Sequence, residues 1–381
     1  MKKIALLGCT GSIGKQVLQV VDRYPDKYSV VALACDKNAE LLGQQITKYK
    51  PKVAGLSNPE YAYKIANLPK ETTLYTGDKA LLHCITEEAD LVFVAVVGFC
   101  GLSAVLHAIS MGKQIALANK ESLVAGGELV MPFAKKMGVD IIPVDSEHSA
   151  IWQSLAFNKN TPFKKLIITA SGGALKNLPI EQLPFVTPET ALKHPNWQMG
   201  AKITIDCATM INKGLEVMEA MWLFDCPLDK IEVLIHPQSI IHSMVEYADN
   251  AVIAQLGQPS MDVPIQLALS FPERLKTDTP ALSFDKPLTF DKVDLNRYPC
   301  FSLAMQSAKS GGIYPCVLSG ANEIAVKLFL EGKIPFTHIY NYIHLALEKQ
   351  QPLPVTYENL VFADVTARQT VLNAFKEKRF D

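Results

Sequence analysis

Short apolar runs alternate with amphipathic stretches through the first third of the chain. The runs predict strands at residues 3–7, 29–34, 53–56, 91–97, 114–117 and 140–144. The stretches between them, such as residues 13–24 and 102–111, carry apolar side chains at helical spacing. This alternation of strand and helix predicts a doubly wound, parallel α/β sheet of the Rossmann type over residues 1–147.

The pattern changes after residue 147, where a mixed sheet with helices is expected. Predicted strands fall at residues 165–170, 202–205, 230–235, 239–247 and 251–256. The last two flank Asp249-Asn250, a dipeptide typical of a hairpin turn, so residues 148–270 are predicted to form an α+β domain. Residues 271–297 are rich in proline and lack periodicity, which indicates a linker. Helices predicted at residues 301–309, 321–330, 337–349 and 367–378 make residues 298–381 a helical C-terminal domain.

Composition narrows the class of protein. The chain has 381 residues, a net charge of −1 and 49% hydrophobic residues, as expected of a globular enzyme or binding protein. The charge gives no general attraction to nucleic acid or to an anionic membrane. No apolar run approaches the ~20 residues that span a bilayer. Eight scattered cysteines without a Cys-x-x-Cys pair favour reduced thiols in a cytoplasmic protein.

A glycine-rich run, Gly8-Cys9-Thr10-Gly11-Ser12-Ile13-Gly14, joins the first predicted strand to the first helix. Glycine permits a tight turn there and lets backbone N–H groups approach a pyrophosphate at the helix N-terminus. The run is therefore a variant of the dinucleotide fingerprint. A glycine-rich turn without a ligand is the alternative.

The end of the second predicted strand is where the adenosine ribose of a dinucleotide is bound. Asp36 there is suited to accept from the ribose 2′-OH of NAD. Lys37 follows directly and is suited to pair with the 2′-phosphate of NADP. The choice between NAD and NADP stays open on these residues, as does a solvated Asp-Lys loop.

Asp145-Ser146-Glu147 follows the apolar strand predicted at residues 140–144. In extended chain the side chains of residues i and i+2 point to the same face, which would place the two carboxylates side by side. Two like charges this close need a cation or a proton between them. A polar loop with two solvated acids is the alternative.

Asn212-Lys213-Gly214-Leu215-Glu216 is predicted to open a helix, with Asn212 as its cap. A lysine at a helix N-terminus is unfavourable unless an anion is near, which suggests a bound phosphate. Glu216 is a candidate third carboxylate beside Asp145 and Glu147, and three carboxylates suit Mg²⁺ or Mn²⁺ better than zinc. An ordinary exposed helix start is the alternative.

Three further segments carry candidate chemistry. Asn119-Lys120-Glu121 ends a strand and either holds an oxygen-rich ligand through Lys120 or simply starts a helix. The segment 169–173 ends another strand and is either a backbone nest for an anion or a tight turn. The segment 194–200, with a histidine and Trp197, is typical of a lid, although Trp197 could equally anchor a core. His236 and His242 flank an apolar strand and are interpreted as structural.

The set of motifs resembles one family nearly end to end, that of 1-deoxy-D-xylulose 5-phosphate reductoisomerase. Besides the runs above, the resemblance rests on Ala118 to Ser122, Pro143 to His148, Ala170 to Gly173, His194 to Trp197, Asp206 to Met210, Ile235 to Ser239, Arg297 to Cys300 and Ala321-Asn322-Glu323. It implies an NADPH-dependent enzyme with a V-shaped subunit, usually a homodimer. Such an enzyme converts 1-deoxy-D-xylulose 5-phosphate to 2-C-methyl-D-erythritol 4-phosphate in the non-mevalonate isoprenoid pathway.

The resemblance also implies roles for particular residues. The metal, Mg²⁺ or Mn²⁺ with Co²⁺ as a third candidate, is expected on Asp145, Glu147 and Glu216, and Lys120 is expected to contact the reacting oxygens. Substrate is expected on Lys120, Ser146, Glu147, Ser171, His194, Trp197, Asn212, Lys213 and Glu216. NADPH is expected on Thr10, Gly11, Ser12, Ile13, Lys37, Asn38, Asn119, Glu121 and Gly200.

Several positions depart from the family pattern, among them Ala174-Leu175-Lys176 and Ser260-Met261-Asp262, and two more affect expected contacts to ligands. Cys207 stands where a phosphate-binding serine is usual, which weakens one expected hydrogen bond to the substrate. Asp36 occupies a position that is often small and places a negative charge near a 2′-phosphate. Two rival functions are a semialdehyde dehydrogenase, which needs a Cys/His pair that is missing from the motifs, and a catalytically inactive nucleotide sensor, which would not need three carboxylates.

Overall fold

The structure, a computed structural model, describes residues 1–66, 68–155, 161–193, 196–197 and 199–380. The strands are β1 Lys2–Leu7, β2 Tyr28–Cys35, β3 Val53–Leu56, β4 Thr73–Thr76, β5 Leu91–Val94, β6 Gln114–Leu117, β7 Ile141–Pro143, β8 Phe163–Ala170, β9 Ile231–Ile235, β10 Ile241–Tyr247, β11 Val252–Leu256 and β12 Asp291–Lys292. The helices are α1 Ser12–Arg23, α2 Ala39–Tyr49, α3 Ala80–His83, α4 Gly101–Ser110, α5 Glu121–Met137, α6 Ser146–Leu155, α7 Pro188–Ala191, α8 Ala201–Ala208, α9 Ile211–Leu223, α10 Asp262–Ser270, α11 Pro299–Ser310, α12 Tyr314–Leu330, α13 His338–Lys349 and α14 Tyr357–Lys376.

The first sheet has seven parallel strands in the order β4-β3-β2-β1-β5-β6-β7. Its central strands β1, β2 and β5 are almost wholly buried, as strands covered by helices on both faces must be. The predicted doubly wound sheet is confirmed. The sequence pattern missed β4, since its side chains are mostly exposed and form no apolar run.

The second sheet is mixed and has the order β11-β10-β8-β9-β12. Strand β8 pairs in parallel with β9 and antiparallel with β10, which in turn pairs with β11. The predicted hairpin is confirmed, and Asn250 adopts a left-handed φ of 66° in its turn. Strand β12 lies inside the segment that the sequence indicated as a linker, and it pairs with β9.

The strand predicted at residues 202–205 is wrong, because these residues lie inside helix α8. The alternation of Ile203, Thr204 and Ile205 is typical of a strand, and β-branched residues reinforced that interpretation. The helix instead buries Thr204, Ile205 and Ala208, which recur at helical spacing. An ion pair between Lys202 and Asp206, four residues apart at 2.7 Å, supports the helix from its side.

The predicted C-terminal helices are confirmed, and two of them are longer than the pattern indicated. Helix α12 begins seven residues before the predicted residue 321, and α14 begins ten before residue 367. Helix α12 packs against α13 and α14. Phe329 and Tyr342 are among the largest fully buried side chains of this bundle.

The described chain packs into two compact units. The first comprises Met1–Ser122, Val130–Asp145 and Met261–Thr279, and contains the parallel sheet. The second comprises Leu123–Leu129, Ser146–Ser260 and Pro280–Asp381, and contains the mixed sheet and the C-terminal helices. Among the described residues, no helix is long and apolar enough to cross a membrane.

Candidate functional site

The glycine-rich turn after β1 is built for close approach to a ligand. Gly8 has a φ of 93°, and a Cβ there would lie 2.4 Å from the Ala95 carbonyl oxygen. A Cβ on Gly14 would lie 2.2 Å from the Gly8 carbonyl oxygen. Helix α1 begins at Ser12 with Gly11 as a cap that supplies no side-chain hydrogen bond. Its first N–H groups, on Ser12, Ile13 and Gly14, are therefore placed for a pyrophosphate, which confirms the turn predicted between strand and helix.

Charged residues follow β2 at the expected ribose position. The side chains of Asp36 and Lys37 are both largely exposed, and Lys37 Nζ lies 3.8 Å from Asp36 Oδ2. Asn38 caps helix α2, because its side chain accepts a hydrogen bond from the Leu41 N–H at 3.2 Å. Both charges remain accessible to a ligand, so this geometry favours neither cofactor over the other.

Asn119 is almost fully buried after β6 and organises the start of α5. Its side-chain nitrogen donates to the carbonyls of Val96 and Gly98, both at 3.1 Å, and to Glu121 Oε2 at 2.9 Å. Its side-chain oxygen accepts from the Ser122 N–H. The segment does start helix α5, which is compatible with either interpretation of Lys120. Asn119, which is bound in turn to Glu121, holds the loop between β5 and α4 in place.

Lys120 extends from the same helix start toward Asp145. The two side chains are mostly buried, and Lys120 Nζ lies 2.5 Å from Asp145 Oδ2. Strand β6, which precedes Lys120, pairs with β7, which precedes Asp145. The ends of two neighbouring parallel strands thus bring this pair together.

The sequence predicted that Asp145 and Glu147 lie in one extended segment, and this prediction is wrong. Strand β7 ends at Pro143 and helix α6 begins at Ser146, so Glu147 lies in a first helical turn. The acids converge nevertheless, because one carboxylate oxygen from each of Asp145, Glu147 and Glu216 lies within 4.8 Å of the other two. Ser146 donates a 2.6 Å hydrogen bond to Glu147 Oε2. Oxygen donors alone suit a hard cation such as Mg²⁺, so the residues present fit the expected metal.

Helix α9 supplies Glu216 and two polar neighbours. Its cap is Met210, which has a φ of 61°, and Asn212 lies inside the helix, so the cap predicted at Asn212 is wrong. Asn212 donates instead to Glu216 Oε1. Lys213 donates to Glu147 Oε1 at 2.8 Å and to Glu216 Oε2. The anions next to Lys213 in this structure are thus two carboxylates, where the sequence indicated a phosphate.

The charge of Lys213 is held by these partners. Burial alone would lower the pKa of Lys213, but Glu147 and Glu216 outweigh burial and leave its pKa raised. The side chain is 5% exposed and stays an ammonium group. A cation is therefore favoured between these acids, and in this structure the ammonium group of Lys213 is that cation.

Two buried histidines, His148 and His242, lie near the carboxylates, and the pairing of His148 with Glu219 was not predicted from the sequence. His148 Nε2 lies 2.8 Å from the Glu216 carbonyl oxygen, and His148 Nδ1 lies 3.3 Å from Glu219 Oε2. His242, interpreted as structural, lies within electrostatic range of Glu147 and Lys213. Burial lowers the pKa of His242, so the ring is neutral at neutral pH. The only sequence signal for the pair formed by His148 and Glu219 was the family motif that runs from Pro143 to His148.

The turn after β8 presents Ser171 at a backbone concavity. Gly172 and Gly173 both have positive φ, 85° and 72°, and the Gly173 N–H donates to Ser171 Oγ at 3.1 Å. A Cβ on Gly173 would lie 2.5 Å from the carbonyl oxygen of Cys207. The turn thus packs directly on the end of α8, and Ser171 and Cys207 belong to neighbouring backbone segments.

The predicted lid segment is described only in part. His194 lies outside the described residues. Asn196 donates to the Pro237 carbonyl at 2.6 Å and to Ser239 Oγ at 2.9 Å. Trp197 lies with its ring 6.0 Å from that of His242, and Gly200 caps helix α8. Trp197 therefore lies beside a histidine that is close to the carboxylates.

A glycine-rich turn on a Rossmann-type sheet and a group of acidic and basic side chains together define a class, that of nucleotide-dependent oxidoreductases with a metal site. Three family models match this chain. The model described as 1-deoxy-D-xylulose 5-phosphate reductoisomerase matches residues 4–127. A second model, described as the 1-deoxy-D-xylulose 5-phosphate reductoisomerase C-terminal domain, matches residues 141–224. A third, described as the DXP reductoisomerase C-terminal domain, matches residues 256–370.

Individual proteins agree with the family models. The chain is 46% identical to the 1-deoxy-D-xylulose 5-phosphate reductoisomerase of Rippkaea orientalis, over 99% of this chain and 97% of that protein. It is 46% identical to the enzyme of Chlorobaculum tepidum, over 97% and 98%. Its fold is similar to the solved Zymomonas mobilis enzyme in complex with NADPH, with a TM-score of 0.90, 39% identity and coverage of 98% and 99%.

A further solved structure, of DOX-P reductoisomerase with NADPH, fosmidomycin and magnesium, has a TM-score of 0.94, 37% identity and full coverage of both chains. The chain belongs to the 1-deoxy-D-xylulose 5-phosphate reductoisomerase family. It is accordingly an NADPH-dependent oxidoreductase, and the expected Rossmann-like sheet, second sheet and C-terminal helical region are confirmed.

Proposed function

We propose that the group formed by Asp145, Glu147 and Glu216 is the metal site of a working reductoisomerase. As a member of its family, the chain converts 1-deoxy-D-xylulose 5-phosphate to 2-C-methyl-D-erythritol 4-phosphate with NADPH and a divalent cation. The observation that carries the proposal is the convergence of three carboxylates within 4.8 Å. Mg²⁺ is the first candidate, and Mn²⁺ and Co²⁺ suit the same oxygen donors.

The side chains around the metal site divide the work of the reaction. A divalent ion held by Asp145, Glu147 and Glu216 would lower the cost of negative charge that develops on the substrate's oxygens during rearrangement of the carbon skeleton. Lys120, held beside Asp145 at 2.5 Å, is placed to donate hydrogen bonds to those oxygens. Ser146 and Glu147 orient the hydroxyl groups. The aldehyde formed by the rearrangement is then reduced by hydride from NADPH, which the turn from Thr10 to Ile13 positions.

The substrate phosphate is assigned to the turn after β8 and the start of α9. Ser171 Oγ, the side-chain amide of Asn212 and the ammonium of Lys213 supply donors for an anion. Lys213 pairs with Glu147 and Glu216 in this structure, so phosphate binding requires it to share its hydrogen bonds. Cys207 is a weaker donor than a hydroxyl, and one contact to the phosphate is accordingly weak.

The remaining contacts to the nucleotide and substrate follow the same assignment. Lys37 and Asn38 are placed near the adenosine ribose, and Asn119, Glu121 and Gly200 near the nicotinamide half. Trp197 covers the substrate from the segment that precedes α8, and the role expected of His194, which lies outside the described residues, stays a prediction. Exclusion of water by such a cover protects a reactive aldehyde from side reactions.

Product identity tests the proposed function most specifically. The enzyme with 1-deoxy-D-xylulose 5-phosphate, NADPH and Mg²⁺ is expected to yield the branched methylerythritol phosphate, identified by its carbon-13 spectrum. A straight-chain polyol phosphate would show that the ketone is reduced without rearrangement. That product would remove the proposed isomerisation.

We also propose a homodimer that acts in the cytoplasm. Strand β11 is an edge of the mixed sheet, and its Val252 and Ile253 are 49% and 40% exposed. An apolar edge strand with unpaired backbone groups is a template for pairing with a second chain. Light scattering is expected to give twice the mass of the chain, and a monomer for Ile253→Lys. A wild-type monomer at micromolar concentration would contradict this proposal.

A further inference from the structure

Helix α12 carries Asn322, a residue of the Ala321-Asn322-Glu323 run that the proposed reaction leaves without a role. The Asn322 side chain is fully buried. Its nitrogen donates a 2.9 Å hydrogen bond to Asp206 Oδ1, and its oxygen has no hydrogen-bond partner among the residues that the structure describes. An apolar side chain at position 322 would remove a donor from the buried carboxylate of Asp206, so the asparagine is matched to that partner.

The partner of Asn322 lies on helix α8, one residue before Cys207. Asp206 is 1% exposed, and its second oxygen accepts from Lys202 at 2.7 Å. The carboxylate thus has one donor from its own helix and one from α12. Of these two bonds, the one from Asn322 ties α8 to the helical bundle, because the bond from Lys202 stays within α8.

The end of α8 touches both parts of the phosphate site. The carbonyl of Cys207 packs so closely on Gly173 that no Cβ fits between them, and Gly173 donates to Ser171. Only Thr209 and Met210 separate α8 from α9, and Met210 in its left-handed conformation makes that turn tight. A shift of α8 is therefore passed to Ser171 on one side and to Asn212 on the other.

We propose that Asn322 is a positioning residue for the phosphate end of the substrate site, acting through its hydrogen bond to Asp206. It does not touch the substrate. The inference rests on the proposed assignment of the phosphate to Ser171, Asn212 and Lys213. It adds a role for the C-terminal helices, because α12 holds α8 through the bond from Asn322 to Asp206, and α8 contacts the phosphate-binding segments.

Steady-state kinetics on the full-length enzyme with Mg²⁺ test the inference. Asn322→Leu keeps the approximate volume and removes the donor, and is expected to raise the KM for 1-deoxy-D-xylulose 5-phosphate about fivefold or more. The KM for NADPH is expected to stay unchanged. Asn322→Asp places two carboxylates face to face and is expected to raise the substrate KM at least as much.

The exchanged double variant, Asp206→Asn with Asn322→Asp, restores a donor opposite an acceptor and is expected to recover most of the substrate KM. This rescue separates positioning from general loosening and remains informative if one single variant does not fold. Glu323→Gln is the matched control, because Glu323 pairs with Arg368 on α14 at 2.9 Å. Its substrate KM is expected to equal that of wild type.

Three results would overturn the inference: an unchanged substrate KM in both Asn322 variants, an equal rise in Glu323→Gln, or no rescue by the exchange. Lys213→Met separates a failure of the proposed role of Asn322 from a failure of the phosphate assignment on which that role rests. A raised substrate KM in Lys213→Met with an unchanged KM in Asn322→Leu removes only the role of Asn322. An unchanged KM in Lys213→Met removes the phosphate assignment and the inference with it.

Discussion

Glu216 is a buried side chain that contacts most of the other residues of the candidate metal site. It is 1% exposed, accepts hydrogen bonds from Asn212 and Lys213, and lies with Asp145 and Glu147 in the carboxylate group. Its recognition from sequence depended on the run from Asn212 to Glu216 and on the family resemblance. Spacing alone could not place it near Asp145, which is distant in sequence, because only the tertiary fold joins them.

Glu216→Gln tests the metal role at the residue scale. The amide keeps the size of the side chain but loses the charge, so Mg²⁺ affinity is expected to fall by about tenfold or more, and kcat with it. NADPH binding, measured by fluorescence titration, is expected to persist, since the glycine-rich turn is unaltered. Loss of NADPH binding together with turnover would indicate a folding role.

Asp36 tests the electrostatics of the ribose position. It lies beside Lys37 on the surface, where it would repel a 2′-phosphate through solvent. Exposed charges contribute up to about 1 kcal/mol, so Asp36→Gly is expected to increase the preference for NADPH over NADH up to about fivefold. The ratio of kcat/KM values for the two cofactors measures this effect. An unchanged ratio at low salt would discard the argument from charge.

The surroundings of Lys213 could be predicted only in part from the sequence. A lysine in a first helical turn correctly indicated a nearby anion. Its neighbours are Glu147 and Glu216, and the sequence could not distinguish a bound phosphate from carboxylates supplied by the fold. His148 and Glu219 were missed because their pairing depends on how α6 packs on α9.

At the scale of elements, apolar runs bounded by turns were reliable, and local alternation was not. The strands β1, β2, β3 and β6 agree with the predicted ranges to within one residue at each end. Helix α8 was mistaken for a strand because three β-branched residues interrupt an otherwise weak helical pattern. Its true state is decided by contacts distant in sequence, including the hydrogen bond from Asn322.

Gly14→Ala tests the turn between β1 and α1. The new Cβ would lie 2.2 Å from the Gly8 carbonyl oxygen, so backbone must move. Overpacking of this kind costs about 1–3 kcal/mol of stability, and the Kd for NADPH is expected to rise at least about tenfold. Thermal unfolding and fluorescence titration measure the two effects.

Gly43→Ala is the control for that substitution. Gly43 lies in helix α2, and its new Cβ would meet no atom closer than 3.7 Å. Alanine in a helix interior is favourable by about 0.5–1 kcal/mol over glycine, so stability is expected to rise and the Kd for NADPH to stay unchanged. Equal loss of NADPH binding in both variants would contradict the argument from close approach.

At the scale of the whole molecule, the sequence was sufficient to predict a parallel sheet, a mixed sheet and a helical end. Alternation of strand and helix implies parallel pairing, because crossover helices return each strand in the same direction. The strand order and the addition of β12 to the mixed sheet could not be predicted. They depend on pairing partners far apart along the chain, which local patterns do not encode.

The central claim is that a divalent cation bound by carboxylates enables the rearrangement that precedes reduction. The direct measurement is NADPH oxidation driven by 1-deoxy-D-xylulose 5-phosphate, followed at 340 nm after exhaustive chelation and then with added metal. The account predicts no turnover in the chelated enzyme and recovery with Mg²⁺, Mn²⁺ or Co²⁺. Full activity in the chelated enzyme would contradict it.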